Sequence, residues 1–337
     1  MACVNLELMH SSMPTITAAY IAAILSFALH PAKGQQPRLT VEPRAPAPGS
    51  LVRLTIDHAS RHDDSVVAVT GAMSGEPLHF RSAGGAKLEA LGAVPVGASD
   101  SVVATAELSL ASGARDTIRI VLPYPHQPEP VASRRGRARG ASRLRVDKRF
   151  TRPMDAATAA RVEHENELAQ SLGRHAQNTP QLWALPFARP RQARVTSRFG
   201  SGRLFNGRVS SSHLGIDYRG STGDPIYAAN RGVVALVDTF FLAGNVVYID
   251  HGDGIVTGYF HMSQPEVAAG DTVERGQEIG RVGATGRVTG PHLHWSARFG
   301  ALTIDPADLL SIGPPFAAAA GGPANGGKHN RKQGASR

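Results

Sequence analysis

The sequence predicts a mainly β protein built as two folded parts, and three observations lead there. Short runs of β-branched and apolar residues, such as Leu51-Val52-Arg53-Leu54-Thr55-Ile56 and Thr117-Ile118-Arg119-Ile120-Val121, recur between clusters of Gly, Pro, Ser and Asp. That is how strands closed by tight turns read. The same punctuation returns from about residue 195 to 310, after a Pro- and Arg-rich interval that reads as a linker. At 337 residues the chain also exceeds the usual single domain.

Taken in order, residues 1–36 are expected to be a secretory signal peptide. Residues 16–29 form an apolar run of 14, shorter than the roughly 20 residues of a membrane span, and Ala32-Lys33-Gly34 offers a small-residue cleavage site. The mature chain is then expected to have no membrane span and to be exported, periplasmic or extracellular, and associated with the cell wall. The one cysteine, Cys3, falls in that leader, which removes disulfides, cysteine nucleophiles and thiolate ligands from the mature chain. Residues 37–125 read as a small β-sandwich-like domain with no catalytic constellation.

Residues 126–190 read as a basic linker plus a helix. Asp155 is a ready N-cap, residues 155–172 lack Gly and Pro, and Gly173 is where the helix is expected to stop. Its thin apolar stripe places it across a surface. Residues 191–312 read as a second, mostly antiparallel β domain. Within it Asp250-His251-Gly252-Asp253-Gly254 turns one strand, residues 244–249, into the next, residues 255–259. That turn gives His251 a structural task. Residues 313–337, rich in Gly, Ala, Lys and Arg, cannot bury a core and are expected to form a disordered basic tail.

The formal net charge of +9 favours an anionic partner, which outside the cytoplasm means wall polymer or membrane surface. The arginine run 134–139 reads as solvated linker, so no nucleic-acid partner is expected. His164-Glu165-Asn166-Glu167 sits on the expected helix but is followed by Leu168, so the second histidine of a helical zinc-protease motif is missing. No Gly-x-Ser-x-Gly elbow, phosphate-binding Gly-x-x-x-x-Gly-Lys-Ser/Thr loop or Gly-x-Gly-x-x-Gly fingerprint occurs, which removes the common serine-hydrolase and nucleotide readings.

Chemistry concentrates in four histidines and an aspartate. In Gly290-Pro291-His292-Leu293-His294-Trp295 the two imidazoles lie two residues apart, hence on one face of a strand. His213 and Asp217 are four apart with Gly215 between them. A fully extended strand would hold their Cα atoms about 13 Å apart, so the backbone must bend if both grip one ion. His, Asp and the distant His-x-His offer N and O donors without sulfur, which suits zinc with three protein ligands and one open position. His261, at the end of a strand, adds another imidazole able to move protons.

The segments HLGID, YFHMS, GDTVERGQEIGRVGATGRVTGPHLHW and IDPADLL, in that order over residues 195–310, resemble the catalytic domain of lysostaphin-type (LytM-type) zinc metallopeptidases, which cleave peptidoglycan peptides. The resemblance implies an antiparallel-β peptidase domain with a metal-bearing groove. It implies one Zn2+ per chain held by His213, Asp217 and His294, with His261 and His292 as the catalytic pair. Peptidoglycan stem peptides or cross-links are then the substrate. A tyrosine that assists the transition state in some members has no counterpart between Thr196 and His213, because Phe205 lacks a hydroxyl. Asn206 is a candidate contact to metal or substrate, or else a loop residue. The second reading is a catalytically silent wall-binding relative that activates other hydrolases, but all five site positions are present. The sandwich is expected to be dispensable for the chemistry, so a chain begun near Phe187 should still cleave. No oligomeric state is specified by any of these features.

Overall fold

Alternation shapes the N-terminal part. In Ser101–Leu110 every second side chain, Val102, Ala104, Ala106, Leu108 and Leu110, is buried, as a strand with one face on a core requires. Two four-stranded antiparallel sheets result. One runs Arg38–Glu42, Leu51–Asp57, Lys87–Ala93, Arg81–Ser82, and the other Glu76–Pro77, Val66–Met73, Ser101–Leu110, Arg115–Pro123. Their inner faces share one core in which Leu54, Ile56, Ala104 and Leu108 are enclosed, which makes this part a β-sandwich. The computed structural model describes residues 37–58, 64–97, 101–123, 142–207 and 209–312, all inside the compact unit Gln35–Arg337. The expected signal peptide, the arginine run 134–139 and the expected basic tail lie outside the described residues.

The helix begins where its cap predicts and runs on past its expected end. Asp155 accepts from the Thr158 amide at 2.7 Å, and the helix spans Ala156–Ala176. Gly173 lies inside it, because a Cβ there would sit 1.8 Å from the Gly300 carbonyl oxygen. The glycine thus marks a place where helix and sheet backbones touch, not a stop signal. Glu165, buried on the same face, accepts from the Phe241 amide at 2.9 Å and from Arg161 Nε at 2.7 Å, pinning the helix to the sheet. Beyond it the Pro-punctuated crossing buries Trp183 and Phe187 in the main core.

The C-terminal part is a ten-stranded sheet, all of whose pairings are antiparallel. Its central order is Val195–Ser197, Ile216–Arg219, His292–Phe299, Ile255–Pro265, Gly244–Gly252, Gly232–Phe240. One face packs Tyr218, Ile226, Leu293, Trp295 and Phe299 into the core. The hairpin is tighter than expected: strands Gly244–Gly252 and Ile255–Pro265 are joined by Asp253 and Gly254 alone, at φ 52° and 78°. Positive φ at both residues is the two-residue turn that matches strand twist, and it leaves Asp250 and His251 inside the strand. A smaller sheet lies beside this one, with Gly202–Phe205 between the antiparallel Val209–Ser212 and the parallel Ser142–Leu144.

The molecule is therefore mainly antiparallel β, and its two parts share a seam. Leu51, Leu91 and Ala93 of the sandwich belong to the same core as Trp183, Ile304 and Leu309. The Leu51 amide donates to Asp308 Oδ2 at 2.8 Å, the Ala301 amide to Glu76 Oε1 at 2.8 Å, and Arg81 makes a two-pronged ion pair with Asp253. Among the described residues no helix is long and apolar enough to cross a membrane.

Candidate metal centre

Strand register lays the site out. Ile216–Arg219 pairs with His292–Phe299 so that Asp217 lies opposite His294 and Arg219 opposite His292. Opposite residues share a face, as do residues two apart on one strand. Asp217, Arg219, His292 and His294 therefore stand together, while Leu293 is fully buried on the other side. His213 enters from the bend before Ile216–Arg219. Gly215 permits that bend by closeness and not by a left-handed φ, since a Cβ there would lie 2.5 Å from His294 Nε2.

Three donor atoms converge. His213 Nε2 lies 2.9 Å from His294 Nδ1 and 3.0 Å from Asp217 Oδ1, and the last two atoms are 3.0 Å apart. Tetrahedral zinc with bonds of about 2.0–2.1 Å separates its donors by about 3.3 Å. The observed triangle needs only a slight opening to accept it. Protons are scarce at its centre. His213 Nδ1 lies 3.0 Å from the Arg198 carbonyl, which only accepts, so that nitrogen carries the ring proton and Nε2 presents a lone pair. His294 Nδ1 then faces a lone pair and a carboxylate at once. One cation would satisfy all three, and the N and O donor set without sulfur is that of a zinc site.

The surroundings hold these atoms in place. Burial would raise the Asp217 carboxyl, but the close approach of His213 and His294 outweighs it and holds the group far below the usual carboxylate range. Arg203, on Gly202–Phe205, pairs with Asp217 Oδ2 and leaves Oδ1 to the imidazoles. Burial brings His294 down to about 4 against the pull of Asp217, so its ring is neutral near pH 7. Phe260 stacks on that ring, with centroids 5.2 Å apart and planes 11° from parallel.

The other two histidines stand next to the triangle. Between the pairs Asn245↔Met262 and Val247↔Tyr259, the Ile255–Pro265 strand carries one residue more than its partner. That is a β-bulge, which re-aims a side chain. His261 lies in it at φ 63°, a strained value for a residue other than glycine. Its amide donates to the Ala243 carbonyl and its Nδ1 to the Thr285 carbonyl at 2.8 Å. His292 Nδ1 likewise donates to the Gly290 carbonyl at 2.8 Å, and its Nε2 lies 3.7 Å from Asp217 Oδ1. A neutral ring that donates through Nδ1 in this way has no proton on Nε2. The rings are 4.9 Å apart by centroid, and His261 is 6.0 Å from His294. Burial, with the charges of His292 and His294, pushes His261 well below the ordinary imidazole range.

All five residues singled out in the sequence thus meet in one cluster, which opens on a cleft of about 330 Å³ lined by Arg203, Phe205, Arg219, Arg287 and His292. Asn206 does not join it. At φ 49° it turns the Gly202–Phe205 hairpin, its Oδ1 accepting from the Val146 amide at 3.0 Å and its Nδ2 donating to the Val146 carbonyl at 2.9 Å. It clamps the segment that leads to the helix. Sequence reasoning gave no role to Ser197, whose Oγ lies 3.0 Å from His213 Nδ1, to the Arg203 pairing or to the Phe260 stack. Each is a contact between elements distant in the chain, for which no local spacing is a signal.

Residues 211–306 match Peptidase family M23. Peptidoglycan DD-endopeptidase ShyC of Vibrio cholerae serotype O1 is 44% identical over 104 residues, covering 30% of this chain and 24% of that protein. DD-carboxypeptidase/endopeptidase Mpg of Neisseria meningitidis serogroup B is 41% identical over 97 residues, covering 29% and 22%. The matches thus span about a quarter of the length of these curated relatives. A solved structure from Pseudomonas aeruginosa assigned to peptidase M23 superposes on 79% of this chain and 95% of that one, with a TM-score of 0.54 and 24% identity, and so shares the fold. The motif order, the antiparallel sheet and the His-Asp-His cluster all agree with the match of residues 211–306 to Peptidase family M23.

Proposed function

We propose that the protein is a zinc-dependent endopeptidase that hydrolyses peptide bonds in the stem peptides or cross-links of peptidoglycan. The main support is the triangle of His213 Nε2, Asp217 Oδ1 and His294 Nδ1, with the rings of His292 and His261 next to it and a cleft lined by Asp217 and His292. The names of the relatives, a peptidoglycan DD-endopeptidase and a DD-carboxypeptidase/endopeptidase, point the same way.

His213, Asp217 and His294 would hold zinc, which would supply Lewis acidity toward the scissile carbonyl and lower the pKa of water toward about 7. Arg203 keeps the Asp217 carboxylate oriented by engaging its outer oxygen. His292 and His261, anchored through Nδ1 to the Gly290 and Thr285 carbonyls, present bare Nε2 atoms that take the proton of the attacking water. An imidazolium so formed donates to the developing oxyanion and then returns its proton to the leaving amine. Export to the periplasm or cell surface places the protein where its substrate is, and the net charge of +9 favours adhesion to an acidic wall.

Isolated sacculi incubated with the purified protein should release soluble peptides detectable by mass spectrometry. A chelator should stop the release and added zinc restore it. Absence of release under every condition would overturn the peptidase reading and favour a wall-binding adaptor.

A further inference from the structure

The cleft beside the zinc-donor cluster holds more positive charge than its own chemistry uses. Three guanidinium groups line it, Arg203, Arg219 and Arg287, and Asp217 is the one carboxylate among the lining residues. Arg203 is already committed to Asp217. Neither Arg219 nor Arg287 pairs with a carboxylate among the described residues. Arg287 is half-buried, stacked over Phe205 with its Cζ 4.3 Å from the ring centroid. Burial and the nearby charge of Arg203 both press it below its ordinary value. A half-buried guanidinium beside another, with no counter-ion, is a costly arrangement that a bound anion relieves. Arg219 stands opposite His292 in the strand register, next to a residue proposed to carry the reaction.

We propose that Arg219 and Arg287 form an anion subsite that takes a carboxylate of the substrate peptide flanking the scissile amide. This rests on the peptidase reading above. A carboxylate is favoured because the two cations open onto the same cleft as the proposed hydrolytic cluster, and a peptide threaded through it brings carboxylates as part of its own chain. The planar fork of each guanidinium suits that two-oxygen group. The subsite would make the enzyme selective for peptides whose flanking carboxyl is free.

The test uses the zinc-loaded full chain and two cross-linked peptides that differ only in whether the carboxyl group flanking the scissile amide is free or amidated. The wild type should cleave the free form with a kcat/KM roughly 10- to 100-fold higher. Arg287→Gln and, independently, Arg219→Gln should bring that ratio toward one. Calorimetric binding of both peptides to the zinc-loaded His292→Ala chain gives a second measure that needs no turnover. Cleavage of both peptides with equal kcat/KM and equal affinity would overturn the subsite while leaving the peptidase reading in place. Tighter binding of the free acid with no cleavage of either would support the subsite and overturn the peptidase reading. Neither cleavage nor discrimination in binding would overturn both.

Discussion

Two groups of buried histidine occupy the same sheet and are treated in opposite ways. His251 is wholly enclosed and both of its ring nitrogens are used, Nδ1 at 2.7 Å from the Arg231 carbonyl and Nε2 at 2.8 Å from Thr257 Oγ1. From there the bonds run on through the Tyr259 hydroxyl at 3.0 Å to the Ala229 amide at 2.8 Å, so every polar atom finds a partner of complementary character. His213 and His294 are almost as deeply placed, yet their inward nitrogens converge on each other and on Asp217 Oδ1, so that three potential ligand atoms lie about 3 Å apart. The contrast separates two uses of burial. Complementary partners make a histidine a strut, whereas converging ligand atoms make it a candidate metal ligand.

The contrast can be broken most forcefully at the converging group. His213→Ala or His294→Ala should reduce zinc, measured by metal analysis, from about one ion per chain to near none. Peptide release should fall by at least about 10³-fold. His292→Ala should keep the metal and lose about 10²- to 10⁴-fold in turnover. A variant empty of zinc would instead make His292 a ligand and reverse its division of labour with His294.

At the other group the expected effect is on stability. Burial holds His251 at about 4, below the ordinary 6.5, so the unfolded chain binds a proton here that the folded chain refuses. The contribution is present above about pH 6.5 and is lost as pH falls toward 4. It amounts to about 3 kcal/mol, read as the amount by which the wild-type loss of urea-unfolding free energy between those pH values exceeds that of the His251→Phe variant. Substituting His251→Phe should flatten that part of the pH profile without altering zinc content. The smallest change is expected from Thr257→Val, which removes the partner of His251 Nε2 and should cost about 1–3 kcal/mol of stability with zinc retained. Loss of zinc in either variant would erase the distinction between the two groups.

Legibility followed distance along the chain. His292 with His294, and His213 with Asp217, are two and four residues apart, so strand periodicity and the need for a bend could be read locally. What the resemblance added was the division of roles, which spacing alone left open. The positive φ of His261 was not readable, because it comes from a bulge created by pairing with the Gly244–Gly252 strand. Gly173 was misread for a related reason: a glycine near a helix end and a glycine touching another backbone look alike until Gly300 is placed against it. The five-residue turn shrank to two because depth in the core, and not turn chemistry, decides where Asp250 and His251 lie. Asn206 was open to a metal role, and its loop role emerged once Val146 was brought alongside from sixty residues away.

The seam between sandwich and sheet bears on how far this protein can be dissected. Leu51, Leu91 and Ala93 cover Leu309 and Ile304 from outside the family-matching segment, and the Leu51 amide is fastened to Asp308 in the short C-terminal helix Pro306–Ser311. A fragment begun at Phe187 would be born with a raw apolar scar where that cover had been, and without Trp183, which fills the same core. The sandwich therefore behaves less like a detachable tether than like a lining sewn into the coat, and minimal versions of this protein would have to be cut along the seam and resurfaced there.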